Sequence, residues 1–405
     1  MTDNTNKPSN TSYTTTTLLV CIIFGVTLFL QHAFSLRQAL LFIIGTGIGI
    51  CLLHAMFGFS GAWRKFIRER QSDGIRAQLI LLGLTSSIFF PLIANGGIEG
   101  LNAQGAIAPL GYALIAGAFL FGIGMQLGGG CGSGTLFTAG QGQVDMLITL
   151  TFFIIGATFA SSHLDWWWQL GDTGSIVLIE QFSWPLALLM QLAVLLILYR
   201  VVLSFDKRRR TPKSLSFMTN SQPRINTFLF GPWPLLWAVI GLVIFNLLTL
   251  LIAGHPWSIT FAFSLWGAKI WSGLAGLWGS DISQWQYWQL DYPASALNQS
   301  VLADITSVMN FGLILGAALA ASLAAKFAPA MKLPGKKILI VMLGGLLLGY
   351  GARVGFGCNI GALLAGISSS SVHGWVWLVA AFIGNIVGVQ IRIIVKLDSP
   401  VTENK

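Results

Sequence analysis

The chain has 405 residues, 54% of them hydrophobic and only 9% charged, with a net charge of +9 and a mean hydropathy of +0.74. So much apolar surface cannot be hidden in a soluble core, which excludes a water-soluble enzyme and places the chain in a bilayer. The positive balance then reads as membrane topology, with no nucleic-acid partner. In chain order, residues 1–16 are polar and lack the basic start of a signal peptide, so they predict a disordered tail followed by a retained helix. Apolar runs of about 20 residues, enough to cross roughly 30 Å of hydrocarbon, begin near Leu18, Leu40, Ala77, Leu110, Met146, Ile176, Leu235, Ile305, Ile338 and Trp375. They predict an all-α polytopic membrane protein with about nine or ten transmembrane helices. Lysine and arginine collect at Arg64 to Arg70, Lys207 to Arg210, Lys326 to Lys337 and Arg392 to Lys396, which marks those loops as cytoplasmic. The loops around Asp165 to Trp168 and between Gly254 and Gln299 are poor in basic residues and rich in tryptophan, as outer interfaces are. The expected divisions are the tail 1–16, a first transmembrane repeat 17–203, a basic cytoplasmic linker 204–231, a second repeat 232–396 and a C-terminal tail 397–405.

The grounds for a repeat are specific. Gly117-x4-Gly122-x-Gly124-x3-Gly128-x-Gly130-Cys131-x2-Gly134 returns as Gly344-x4-Gly349-x-Gly351-x3-Gly355-x-Gly357-Cys358-x2-Gly361. Five candidate spans separate the two cysteines, and an odd number inverts the second copy. Inverted repeats place a binding site between the halves near the membrane midplane, with broken helices supplying it. The segments Leu127 to Gly140 and Val354 to Gly366 have the glycine content of such breaks, because irregular backbone at membrane depth must line a cavity or be buried in protein. For Gly117, Gly124, Gly344 and Gly351, close helix packing is an equally good reading. The stretch Pro256 to Lys269 is too short and interrupted to span, and predicts a re-entrant segment. Lys269 and Arg353 are cations in apolar surroundings without a mid-span carboxylate, so a mobile anion is their natural partner; snorkelling to the interface is the alternative.

The candidate substrate contacts are therefore Cys131 with Gly130, Gly132 and Gly134, Cys358 with Gly357, Asn359 and Gly361, and the cations Arg353 and Lys269. Cys21 and Cys51, each within an apolar run, read as small hydrophobes, and His373 as an interfacial or capping residue. A Cys131–Cys358 disulfide is disfavoured because the two cysteines follow helices that head to opposite sides. No zinc-ligand spacing, nucleotide loop or catalytic triad occurs, so neither a metal nor a cofactor is expected.

The two cysteine motifs, together with Pro256-Trp-Ser-Ile-Thr-Phe-Ala-Phe-Ser-Leu-Trp-Gly-Ala-Lys269, resemble the YeeE/YedE family of sulfur-compound transporters over most of residues 40–395. That resemblance implies an inner-membrane protein with an inverted repeat and short cavity-lining helices, active in thiosulfate uptake or, in some relatives, linked to selenium. It maps the family's central cysteines onto Cys131 and Cys358. Many relatives carry a third cysteine in a Phe-Cys-Phe context, where this chain has Phe57-Gly58-Phe59. The chemistry is compatible: thiosulfate is a small dianion with a polarizable terminal sulfur, so it needs donors for its oxygens and a soft group for that sulfur. Backbone N–H groups of the glycine segments offer the first and thiols the second, either through a reversible S–H bond or through a thiolate that keeps the sulfur as a persulfide. A membrane sulfurtransferase that hands sulfur to a small cytosolic carrier protein is one further reading, and a purely structural membrane subunit is the other.

Overall fold

The computed structural model describes residues 10–98, 100–206, 225–274, 281–327 and 333–397. The start of the expected tail, most of the basic linker and the end of the C-terminal tail lie outside the described residues. The chain is helical almost throughout. Its first half runs through α1 (Asn10–Ala33), α2 (Leu36–His54), α3 (Phe59–Glu69), α4 (Asp73–Ala94), α5 (Tyr112–Leu127), α6 (Gly132–Gly140), α7 (Val144–Ser161), α8 (Leu164–Gln169), α9 (Leu178–Gln181) and α10 (Trp184–Ser204). The second half comprises α11 (Ile225–Phe230), α12 (Leu235–Ala253), α13 (Thr260–Gly273), α14 (Asp291–Asn298), α15 (Ile305–Leu323), α16 (Gly335–Val354), α17 (Ala365–Ser368) and α18 (His373–Ile394). A π-helical turn, Asn359–Leu364, leads into α17. The small hairpin of Gly97–Ile98 with Leu101–Asn102 links α4 towards α5.

Among the described residues, ten spans are long and apolar enough to cross a membrane, and they follow the ten predicted runs. Two boundaries differ from expectation. Helix α1 begins inside the threonine-rich stretch assigned to the tail, where the Thr17 hydroxyl donates to the Tyr13 carbonyl and keeps the polar turn helical. The sixth span begins at Trp184 rather than near Ile176, because Pro185 starts that helix and the residues before it serve a loop in which Val177 pairs with Ser371.

The centre is a packed block of α5, α7, α16 and α18. Helices α5 and α16 run antiparallel at backbone distance, with Gly117 against Gly355, Gly124 against Leu348 and Gly128 against Gly344. A Cβ on Gly117 would sit 2.5 Å from the Gly355 Cα, and one on Gly344 2.6 Å from the Gly128 Cα. Gly117, Gly124, Gly344 and Gly351 are thus packing glycines, and any side chain there would force the helices apart. Each of these helices also packs in parallel with one more. Gly122 faces Ala381 and Asn385 of α18, while Gly349 faces Phe153 and Ala157 of α7. Around this block α2 lies along α15 through Gly45, Gly49, Gly312 and Gly316, again at glycine distance.

Both central helices stop short. Helix α5 ends in Gly128-Gly129-Gly130, with Gly129 at φ +83°, and α16 ends in Gly355-Phe356-Gly357, with φ +60° and +148° at the last two. Left-handed backbone reverses the chain at both places, and glycine adopts it without a Cβ clash. Phe356 adopts it as a non-glycine residue, half-buried against the cluster that holds Tyr287 and Trp288.

Candidate functional site

The two reversals bring the cysteines into one place. Cys131 is the N-cap of α6, and its sulfur accepts from the Gly134 N–H at 3.4 Å and lies 3.4 Å from the Ser133 hydroxyl. Cys358 is the N-cap of the π-helical turn, and its sulfur accepts from the Ile360 N–H at 3.4 Å. Both are free thiols with no exposed surface. A Cβ on Gly132, next to Cys131, would lie 3.0 Å from the Cys358 sulfur, so the starts of the two re-entrant segments meet. The two cysteines are not held apart as opposite-facing helices would suggest: the glycine turns after α5 and α16 bring the starts of the two segments together, while both thiols stay free, as expected.

The flanking glycines hold space for the thiols. A Cβ on Gly134 would lie 3.4 Å from the Cys131 sulfur, one on Gly130 2.9 Å from the Thr135 nitrogen, and one on Gly361 3.2 Å from the Ser258 hydroxyl. Gly357 supplies the φ of +148° that aims Cys358. Asn359 follows Cys358, fully buried, and both polar atoms of its side chain lack a partner.

A cavity of about 690 Å³ reaches Cys131 from the side of the basic loop, lined among others by Gly58, Lys65, Asp73, Gly130 and Phe137. Gly58 borders it with ordinary extended backbone, and a Cβ there would meet nothing within 4 Å. Cys358 does not line this cavity.

The cations have other partners. Arg353 donates to the Tyr287 hydroxyl at 2.6 Å with its guanidinium 4.0 Å over that ring, and its Nε is buried without a partner. Burial holds the Tyr287 phenol above its usual range against the opposing pull of Arg353, so it stays protonated. Burial and the neighbouring Asp304 raise Tyr292 in the same way, and it donates to that carboxylate at 2.9 Å. Lys269 sits near the far end of α13 from the cysteines and donates to the carbonyls of Leu297 and Gln299, each at 2.5 Å, with its pKa lowered by burial. The structure does not bring Lys269 to the thiols. His373 caps a turn through Ser371 at 2.7 Å, and Cys51 packs on Gly241. Among the described residues no cluster of three or more His, Cys, Asp and Glu side chains could hold a metal ion.

Buried amides that sequence reading did not single out pin the loops beside the thiols. The Asn310 amide donates to the Ile259 carbonyl at 3.0 Å, and Asn246 accepts from the Trp257 N–H at 3.0 Å. Beside the cavity Gln78 donates to the Gly58 carbonyl at 3.4 Å, while Gln126 donates to the Ser60 carbonyl at 3.1 Å. The available signal was a lone amide within each apolar run, which is costly there unless it is paired.

The family model described as Sulphur transport matches residues 54–387, a stretch that includes both cysteine motifs and the segments that pack on them. The chain belongs to the sulphur transport family. Within it, the chain is 27% identical to the thiosulfate transporter TsuA of Spirochaeta thermophila over 354 residues, covering 85% of this chain and 95% of that protein. It is also 27% identical to the Escherichia coli thiosulfate transporter TsuA, covering 84% of this chain and 91% of that protein. The probable transporter YedE of Escherichia coli matches at 30% over 44% of this chain and 43% of its own length. As a sulphur transport family member with ten candidate spans, the protein is a multi-pass membrane transporter rather than an enzyme.

Proposed function

We propose that the protein carries thiosulfate inward across the inner membrane, passing it between Cys358 and Cys131 as transient contacts. The observation that carries this reading is the meeting of two buried free thiols at the starts of re-entrant segments. Each sulfur already accepts an N–H from its own first turn, which leaves the S–H proton to donate to an anion. Such a donor is weak, and weak successive sites let an ion leave as readily as it arrives. Gly130, Gly132, Gly134, Gly357 and Gly361 keep the approach narrow and open, and Asn359 brings an unspent amide. Arg353 attracts the dianion on the outer side.

The two halves act as inverted repeats in this reading. What supports it is the matched packing of α5 on α18 and of α16 on α7, with α5 and α16 antiparallel across the centre. The side reached by the cavity, next to the basic residues of α3, is then cytoplasmic, and a small cytosolic sulfur carrier could receive the product there. The test is uptake of doubly labelled thiosulfate into cells unable to use sulfate. Entry of both sulfurs in equal amounts is expected. Entry of the terminal sulfur alone, with sulfite left outside, would replace transport by a membrane sulfurtransferase.

A further inference from the structure

The outer re-entrant segment shows one unspent polar side chain to the cysteine site. Trp257 and Ile259 are buried, at 1% and 0% exposure; the Trp257 N–H donates to Asn246 and the Ile259 carbonyl accepts from Asn310. Ser258 between them is only half-buried, and its hydroxyl has no hydrogen-bond partner among the described residues. It points at Gly361, three residues after Cys358, where a Cβ would come within 3.2 Å of the oxygen. Ile259 in turn touches the space beside Gly132, so this short segment borders both thiol motifs.

A re-entrant loop at membrane depth must have its backbone groups paired, and two buried asparagines are the means used. The arrangement does more than satisfy the loop. By clamping the residues on either side, it fixes the Ser258 Cβ direction while leaving the hydroxyl unoccupied. Asn359, which follows Cys358 in the chain, brings a buried amide that is also unpartnered. A thiol offers a soft contact for a terminal sulfur, but the three oxygens of a thiosulfate need hard donors, and a hydroxyl next to an amide supplies them.

Building on the thiosulfate reading, we propose that Ser258 is a substrate-contacting residue that donates to the sulfonate oxygens while Cys358 meets the terminal sulfur, with Asn246 and Asn310 as its positioning residues. The closing experiment is labelled-thiosulfate uptake by Ser258→Ala and Ser258→Thr, with membrane levels measured alongside. Loss of a hydrogen bond to a charged ligand should raise the half-saturating concentration of Ser258→Ala about tenfold at an unchanged maximal rate. Ser258→Thr, which keeps the hydroxyl, should restore most of the affinity. An unchanged half-saturating concentration in Ser258→Ala overturns the assignment, and so does a fall in its membrane level in place of the affinity change. If the unmodified protein takes up no thiosulfate, the substrate reading itself fails, and that result is distinct from either outcome in the variants.

Discussion

A sulfur atom at a helix start has several possible partners, and at both re-entrant segments the first-turn N–H takes it. Cys131 and Cys358 are thereby fixed in direction without being bonded to each other. Replacing either by alanine removes a small group from a packed site, so Cys131→Ala and Cys358→Ala should each abolish uptake while membrane levels stay near normal. Uptake at the native rate by either variant would take that cysteine out of the path. Cys51→Ala should lose only stability, on the order of 1 kcal/mol, because its thiol packs on Gly241. The cysteine motifs were legible because glycine and cysteine recur in register. The nearness of the two thiols was not, because it depends on where α5 and α16 stop, and hydropathy alone does not show how the glycine turns after them redirect the chain. Gly132→Ala tests this geometry: its methyl group would lie 3.0 Å from the Cys358 sulfur and should impair uptake as the cysteine variants do. Normal uptake by Gly132→Ala would mean that the two segments have room to part.

The elements divide the labour differently from what their charges suggested. Lys269 and Arg353 looked alike as cations in apolar sequence, yet one secures a loop and the other is held under an aromatic ring. Lys269 in the last turns of α13 donates to two carbonyls at the end of α14, those of Leu297 and Gln299, so Lys269→Met should lower the membrane level by loosening the 281–299 segment. Arg353 at the end of α16 keeps an unpaired Nε, so Arg353→Met should instead raise the half-saturating concentration at an unchanged level. Steady-state uptake and immunoblots separate the two outcomes, and a level defect in Arg353→Met would make that residue structural. The ten spans could be read from the sequence because about 20 apolar residues leave little else to be. The 281–299 segment could not, since its short 3₁₀ and α turns follow no single period. The pinning amides Asn246, Asn310, Gln78 and Gln126 were likewise invisible, because a lone amide in an apolar run does not reveal its partner.

At the scale of the whole molecule, orientation is the call with the widest reach. Reporters placed within 64–76 or 206–225 should be cytoplasmic, and those within 163–172 or 281–298 external. A 206–225 reporter found outside would reverse the direction of transport argued above. The cavity beside Cys131 also gives the resting molecule a front and a back: one thiol borders a vestibule, and the other lies outside it, next to the turn in which Phe356 joins a ceiling of rings with Tyr287 and Trp288. A gatehouse with one door ajar is throttled at the shut door. A small thiol reagent supplied from the lysine-lined face should therefore modify the buried Cys131 faster than Cys358, as read by peptide mass. The same reagent from the opposite face should reach Cys358 only while thiosulfate is being drawn through, which makes the ceiling, rather than the thiols, the part of the molecule that sets the pace.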